Sequence, residues 1–407
     1  IEDQDQWWMA GIYRSVYLYA TNEAYIEDMF VNGDFDVEKS EGILTYQAHL
    51  GFHIPAFIPE SESKYTSCNG NGPQNNYYIR ISLLSPSKEN IFTEELEISC
   101  SFRKEGYRTS FTGNIAGIKP WSSESPTLYY FHAELLDHEK NILECRSKRV
   151  GFRNIKIKGC DLLINNQRVM IRGVNRHEHD AFTGKTLSTD SMIQDIKILK
   201  QFNFNAVRTS HYPNDHRWYD LCDEYGIYIM DEANVECHAN YSPLCRNTRW
   251  KNAFVSRFER MVLRDRSHAC IFCWSSGNES GHGENHQAAI ARVYELDNSR
   301  IMSHEGEVKP TWSQSWNGEF HGEKLNENQM YNPMYISCET IKNFSESPES
   351  NRPLILVEYC HAMGNSCGSL SDYWNLFMNY PKLQGGFIWD WVDQGLVQYD
   401  SDGNKFY

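Results

Sequence analysis

Glu279 and Glu358 each directly follow a short apolar segment, a placement that suits two carboxyl groups meeting across one site. Breaking a glycosidic bond needs a proton for the leaving oxygen and a second carboxylate for the cation-like anomeric carbon. Glu279 and Glu358 are the candidate pair for these two roles. One buried glutamate is more often an ion-pair partner, but two at equivalent positions shift the balance toward chemistry. Further polar residues gather at the same kind of boundary. They are Asn175-Arg176-His177-Glu178-His179, then Arg208 and His211, the run from Asp231 to His238, Gly277-Asn278-Glu279-Ser280-Gly281-His282, Glu358-Tyr359-Cys360-His361 and Trp389-Asp390-Trp391. Groups this costly to bury collect at one rim when that rim is an active site.

A cation site is expected beside them. Glu236 and His238, two residues apart, project to the same side and with Glu279 offer two carboxylates and an imidazole. An oxygen-rich set suits Mg²⁺ better than zinc, and the plain alternative is a hydrogen bond between a histidine and a carboxylate. His216 and His268 read as satisfied core residues.

What must position these groups is a series of short strands, each followed by a helix. Strand candidates fall at 170–174, 205–209, 227–231, 271–275, 300–303, 334–336, 354–357 and 386–389. Between them, Met192, Ile196 and Leu199 share one helical face, as do Trp218, Leu221, Cys222 and Tyr225. Phe254, Phe258, Met261 and Val262 make a third core stripe, and Leu370, Tyr373, Trp374 and Phe377 a fourth. Eight strands alternating with helices predict an α/β fold, a closed (β/α)8 TIM barrel over residues 156–407, rather than an open doubly wound sheet. The fifth and sixth strands are the least marked, because 305–332 is a long polar insertion rich in Trp, Gly and Asn. Upstream the hydrophobic period is two, as at 12–19, 96–102 and 128–135. Residues 36–155 therefore predict an immunoglobulin-like β-sandwich, and 1–35 the tail of a further β-sandwich domain.

Composition narrows the partners. With 39 Lys plus Arg against 54 Asp plus Glu, the net charge of -15 gives no basic footprint for nucleic acid, whereas a neutral substrate meets no repulsion. No apolar run approaches the roughly 18 residues of a membrane span. The 11 Trp and 24 Tyr suit either sugar stacking or core packing. Twelve irregularly spaced Cys read as buried free thiols; Cys270 and Cys273 lack the second pair that a zinc site would need. The chain opens on Ile1-Glu2-Asp3 without a targeting leader and ends within a turn, so it is expected to be a piece of a longer cytoplasmic protein.

Six segments in order carry a resemblance: Asn175 to His179, Ser210-His211-Tyr212-Pro213-Asn214, Asp231-Glu232-Ala233-Asn234, Gly277 to Gly283, Glu358 to Ser366 and Gln384 to Trp391. The sequence resembles glycoside hydrolase family 2, and within it the large bacterial β-galactosidases. The resemblance implies a retaining hydrolase of β-galactosides such as lactose, with Glu279 as acid/base and Glu358 as nucleophile. It implies that Tyr335 hydrogen-bonds the nucleophile and that His177, His211 and His361 contact the sugar. Asn278 would lie near the 2-hydroxyl, Trp389 under the ring, and Asp5 would reach the site from the neighbouring sandwich. It further implies magnesium at Glu236, His238 and Glu279, sodium at a site incomplete in this chain, and a homo-oligomeric parent. β-Glucuronidases and β-mannosidases use the same scaffold, and a sugar-binding remnant with little activity is the alternative from another class.

Overall fold

The computed structural model describes residues 6–52, 76–101, 106–240, 243–308, 329–364 and 367–407. Period-two burial builds the first domain from β1 (Ala24–Asp36), β2 (Glu41–Phe52), β3 (Tyr77–Leu84), β4 (Asn90–Ser101), β5 (Gly106–Ile115), β6 (Tyr129–Leu136) and β7 (Ile142–Val150). They hydrogen-bond in the order β1-β2-β5-β4-β3-β6-β7. β4 pairs with β3 along most of its length and with β5 only at its end, so it joins the two sheets of a sandwich. Val31, Leu44, Tyr46, Ile79, Ile81, Phe131 and Leu135 fill the space between them.

Two expectations need correction here. β1 runs from Ala24 and pairs with β2 to Asp36, so the boundary expected at residue 35 falls inside a strand. The alternation at 12–19 forms no strand: Ile12, Val16, Leu18 and Tyr19 are exposed. Alternation makes a strand only where a neighbour completes its hydrogen bonds, and no strand among the described residues does so. Residues 6–23 instead form an arm across the barrel mouth, tied by Trp7 Nε1 to Gln394 O at 2.5 Å and by Arg14 Nη2 to Glu178 Oε2 at 2.6 Å.

After a small antiparallel sheet of β8 (Ile155–Lys158), β9 (Asp161–Ile164) and β10 (Gln167–Arg168), the period changes. β11 (Ile171–Asn175), β12 (Ala206–Arg208), β13 (Tyr228–Glu232), β14 (Ile271–Ser275), β15 (Ile301–Ser303), β16 (Leu354–Tyr359) and β17 (Leu383–Ile388) form one parallel sheet. Its order is β15-β14-β13-β12-β11-β17-β16. Residues 329–334 close the ring: Gln329 bridges Met302 of β15, while Tyr331 and Met334 bridge Leu354 and Glu358 of β16. The sixth strand expected at 334–336 is thus shifted toward the N-terminus and reduced to single bridges, because Pro333 cannot donate to a ladder. Of the expected insertion, Glu305–Val308 is a short helix and 309–328 lie outside the described residues. The other seven strands lie within three residues of their expected positions.

The outer layer includes α1 (Thr189–Gln201), α2 (His216–Tyr225), α3 (Pro243–Arg246), α4 (Lys251–Asp265) and α5 (Glu284–Leu296). The Glu305–Val308 helix is α6, followed by α7 (Cys338–Glu346) and α8 (Leu370–Asn379). Ser188, Asp215 and Ser337 cap α1, α2 and α7 by accepting a backbone N–H that the first turn leaves unpaired. The stripes expected on α1 and α4 are buried. On α2, Tyr219 is buried beside Trp218 and Cys222, with Leu221 and Tyr225 only half-buried; on α8, Phe377 alone is fully buried. Trp121 ties the sandwich to the barrel, its indole donating to Asp223 O at 2.8 Å and its ring edge-on to Tyr228. Ten cysteines, from Cys145 to Cys367, are free thiols, and no helix among the described residues is long and apolar enough to cross a membrane.

Candidate active site

The expected residues converge at the C-terminal ends of the barrel strands. A cavity of about 840 Å³ is lined by Glu279, Glu358, Tyr335, His211, Asn278, His361, Trp389, Glu236 and His238. His177 stands behind that wall, its ring edge-on to both Trp389 and His211 and neither nitrogen hydrogen-bonded. Asp5 lies outside the described residues.

Glu358, the penultimate residue of β16, has both oxygens engaged. Oε1 accepts from Arg208 Nη1 at 2.7 Å, and Oε2 accepts from the Tyr335 hydroxyl at 2.6 Å. Tyr335 also donates its backbone N–H to Glu358 O at 2.9 Å, from a left-handed conformation (φ 49°) that its side chain would not choose freely. Burial, then the neighbouring Glu358 charge, pushes the phenol pKa far up, so its proton stays in the hydrogen bond.

Arg208, on β12, stands at the rim in the sequence with no role assigned to it. It is buried, and each of its five N–H donors has an acceptor: Asn175, Asn278, Glu358 and both oxygens of Glu232. Burial alone would lower its pKa, but the Glu232 and Glu358 carboxylates outweigh it and keep the guanidinium charged. Through Asn278 Oδ1 the same side chain holds the residue preceding Glu279, so one cation links the two glutamate-bearing loops.

The Glu279 loop is shaped by the backbone. Gly277 has φ 106°, and a Cβ there would run into Val235 O. That close approach lets Asn278 N donate to Val235 O at 2.9 Å, packing the loop after β14 against the loop after β13. Glu279 itself is left-handed (φ 41°), with its N–H donating to Glu305 Oε1 at 2.6 Å. Sequence reasoning absorbed Glu305 into the expected insertion, yet it stands two residues after the apolar strand β15, at the same rim as Glu279 and Glu358.

The expected cation ligands are adjacent but not closed into a cage. His238 Nδ1 is 3.5 Å from Glu279 Oε2, and no three such side chains among the described residues already form a metal cluster. Glu236 is buried with Oε2 lacking any hydrogen bond. Its pKa is pushed up to about 10, chiefly by burial and further by the like charges of Glu279, Glu232 and Glu305. A buried carboxyl with one orphaned oxygen fits a hard cation. On the opposite wall, His211 stacks on Trp389 at 5.0 Å and 9°, and His361 tilts against Tyr335.

A (β/α)8 barrel that brings two strand-end glutamates onto one cavity has the architecture of a glycoside hydrolase. Residues 155–407 match the profile of glycosyl hydrolases family 2, TIM barrel domain, and residues 24–153 match that of glycosyl hydrolases family 2. The chain belongs to glycosyl hydrolase family 2. The second match begins where β1 begins. The whole chain is 38% identical over 420 residues to a β-galactosidase of Photobacterium profundum and 39% identical over 424 residues to one of Vibrio vulnificus. It spans 38% of the length of each of these curated relatives. Among solved structures, a family 2 member from Bacteroides cellulosilyticus has a TM-score of 0.67 at 18% identity, covering 91% of this chain and 46% of that one. The β-glucuronidase from Ruminococcus gnavus in complex with D-glucaro 1,5-lactone has a TM-score of 0.68 at 20% identity, covering 94% and 65%. At such identity these two speak to the fold.

Proposed function

We propose that this chain carries the catalytic site of a retaining β-galactosidase. The observation that carries the reading is Glu358, held at one oxygen by Arg208 and at the other by Tyr335, on a cavity wall shared with Glu279. Glu358 attacks the anomeric carbon while Glu279 protonates the leaving oxygen. Glu279 then takes a proton from water, which releases the sugar from Glu358 with retained configuration. That sequence requires carboxyl groups about 5 to 5.5 Å apart in the substrate complex. Tyr335, by donating to Oε2, stabilises the charge that returns to Glu358 as the sugar departs.

Substrate choice follows from charge. Beyond Glu236, Glu279 and Glu358, the cavity is lined by Asp390 and Asp393, with no Lys or Arg in its wall among the described residues. A uronate would meet like charge, whereas a galactoside is neutral, and at 4 Å one such pair costs about 1 to 4 kcal/mol between water-like and surface dielectrics. Magnesium fits the orphaned Glu236 oxygen, with Glu236, His238 and Glu279 as its holders. When bound, it would favour the ionised form of Glu279 and fix that carboxylate's orientation.

The test compares nitrophenyl β-galactoside, β-glucuronide and β-mannoside as substrates of the full-length parent and of this chain. Galactoside hydrolysis at least tenfold faster than the others supports the proposal, and a preference for glucuronide overturns it. Galactose binding without turnover by this chain alone would favour the sugar-binding remnant.

A further inference from the structure

Two residues after Glu358, Cys360 leaves β16 in a left-handed conformation (φ 49°) and joins the apolar cluster that Ile341 and Phe344 of α7 and Phe377 of α8 build against that strand. Its Sγ donates to Gly368 O at 3.4 Å, the carbonyl of the residue directly after Cys367. Burial first, and then the neighbouring Cys367 and Cys338 thiols, push the Cys360 pKa up to about 11. Cys367 is exposed, whereas Cys338 is half-buried in the first turn of α7, and all three are free thiols. An exposed thiol thus lies beside a buried one, close to the strand end that carries Glu358.

The two thiols differ in what they can do. A thiolate attacks a disulfide and a thiol does not, and access decides which thiol is reached. Cys360 is buried and holds its proton, so an oxidant arriving from solution meets Cys367 first. Between the two cysteines lie His361, Ala362, Met363 and Gly364, all in the wall of the Glu358 cavity. Ala362 N donates to Trp389 O at 2.5 Å, which ties this stretch to the end of β17. A disulfide holds its Cα atoms about 4.4 to 6.8 Å apart and its Cβ atoms about 3.5 to 4.5 Å apart. To form one, the Cys360 thiol must leave Gly368 O, and the cavity wall that follows it must shift.

We propose that Cys360 and Cys367 are a redox modification site, which a low-molecular-weight disulfide such as oxidised glutathione converts to an intramolecular disulfide that lowers activity at Glu358. The Cys367 thiolate attacks one sulfur of the small disulfide, whose S–S bond breaks; one small thiol leaves and a mixed disulfide remains. The Cys360 thiolate then attacks the Cys367 sulfur, and the second small thiol leaves. The two protein thiols are oxidised, the small disulfide is reduced, and both protons end on the small thiols. The effect on activity rests on the glycosidase reading; formation of the bond does not.

The experiment treats the chain with oxidised glutathione at mildly alkaline pH, alkylates the remaining thiols and maps the peptides by mass spectrometry. The expected result is a Cys360–Cys367 bridge that dithiothreitol reverses. Both thiols found alkylated, or Cys360 joined to Cys338 instead, overturns the proposal. In the parent enzyme the same treatment should lower kcat/KM for nitrophenyl galactoside by about tenfold or more, since misplacing site groups by about 1 Å can cost about 100-fold, and dithiothreitol should restore it. Cys367 is no part of the cavity wall, so Cys367→Ser should be active and should resist the oxidant. That variant keeps every other thiol, and an equal loss in it, or a bridged parent with unchanged kcat/KM, overturns the link to activity. A parent that hydrolyses no galactoside even when reduced would contradict the glycosidase reading alone, because the peptide map needs no turnover.

Discussion

Arg208→Lys is the sharpest perturbation of the arrangement that holds Glu358. The native guanidinium spends all five donors on five acceptors, at 2.7 to 3.1 Å. Lysine keeps the charge but has three donors without the planar fork, so at least two acceptors lose their partner. Charge-assisted hydrogen bonds are worth about 1.5 to 3 kcal/mol each, which puts the combined loss at about 3 to 6 kcal/mol. If one lost bond is the 2.7 Å contact to Glu358, about 1.5 to 3 kcal/mol enters the barrier, or roughly 10- to 150-fold in kcat. The remainder lowers stability. Steady-state hydrolysis of nitrophenyl galactoside by the parent enzyme measures the first part, and the urea unfolding midpoint of the chain measures the second. A variant within threefold of wild type in kcat, with an unchanged midpoint, would refute the view that this cation organises the site.

Tyr335→Phe removes the 2.6 Å hydrogen bond to Glu358 Oε2 and should slow release of the sugar from the enzyme by about 10- to 100-fold. The covalent intermediate should then accumulate in intact-protein mass spectra during turnover. Chelation should lower the parent's activity and Mg²⁺ restore it, whereas Glu236→Gln should weaken the response to added Mg²⁺ by about tenfold or more, as titrations of activity would report. Asp215 gives a pH signature: burial raises its pKa, but the bonds from Arg217 to its carboxylate win and bring it down to about 2. Its contribution is present above the ordinary carboxylate range and lost as pH falls toward 2, so unfolding midpoints should drop over that interval and Asp215→Asn should flatten the drop.

Much of the barrel is legible in the sequence because each strand is a compact apolar run with a polar rim after it. Ile271–Ser275 matches its expected bounds for that reason. The closing segment is misplaced because Gln329 to Met334 bridges its neighbours with almost no apolar pattern, and a mixed run around Pro333 looks like a loop. At 12–19 the opposite holds: the alternation is present, but no described strand pairs with it, and Leu18 is fully exposed. The glutamate pair is readable from position alone. The role of Arg208 is not, since a residue that spends five donors on partners from several strands is recognised only once strands distant in sequence lie side by side.

The most direct measurement is to trap the parent enzyme with a 2-deoxy-2-fluoro-β-galactosyl fluoride and locate the label by peptide mass spectrometry. The account predicts one galactosyl ester, on Glu358, and a wild-type product that leaves with the β-configuration. A label on another residue, or a product of inverted configuration, would contradict it.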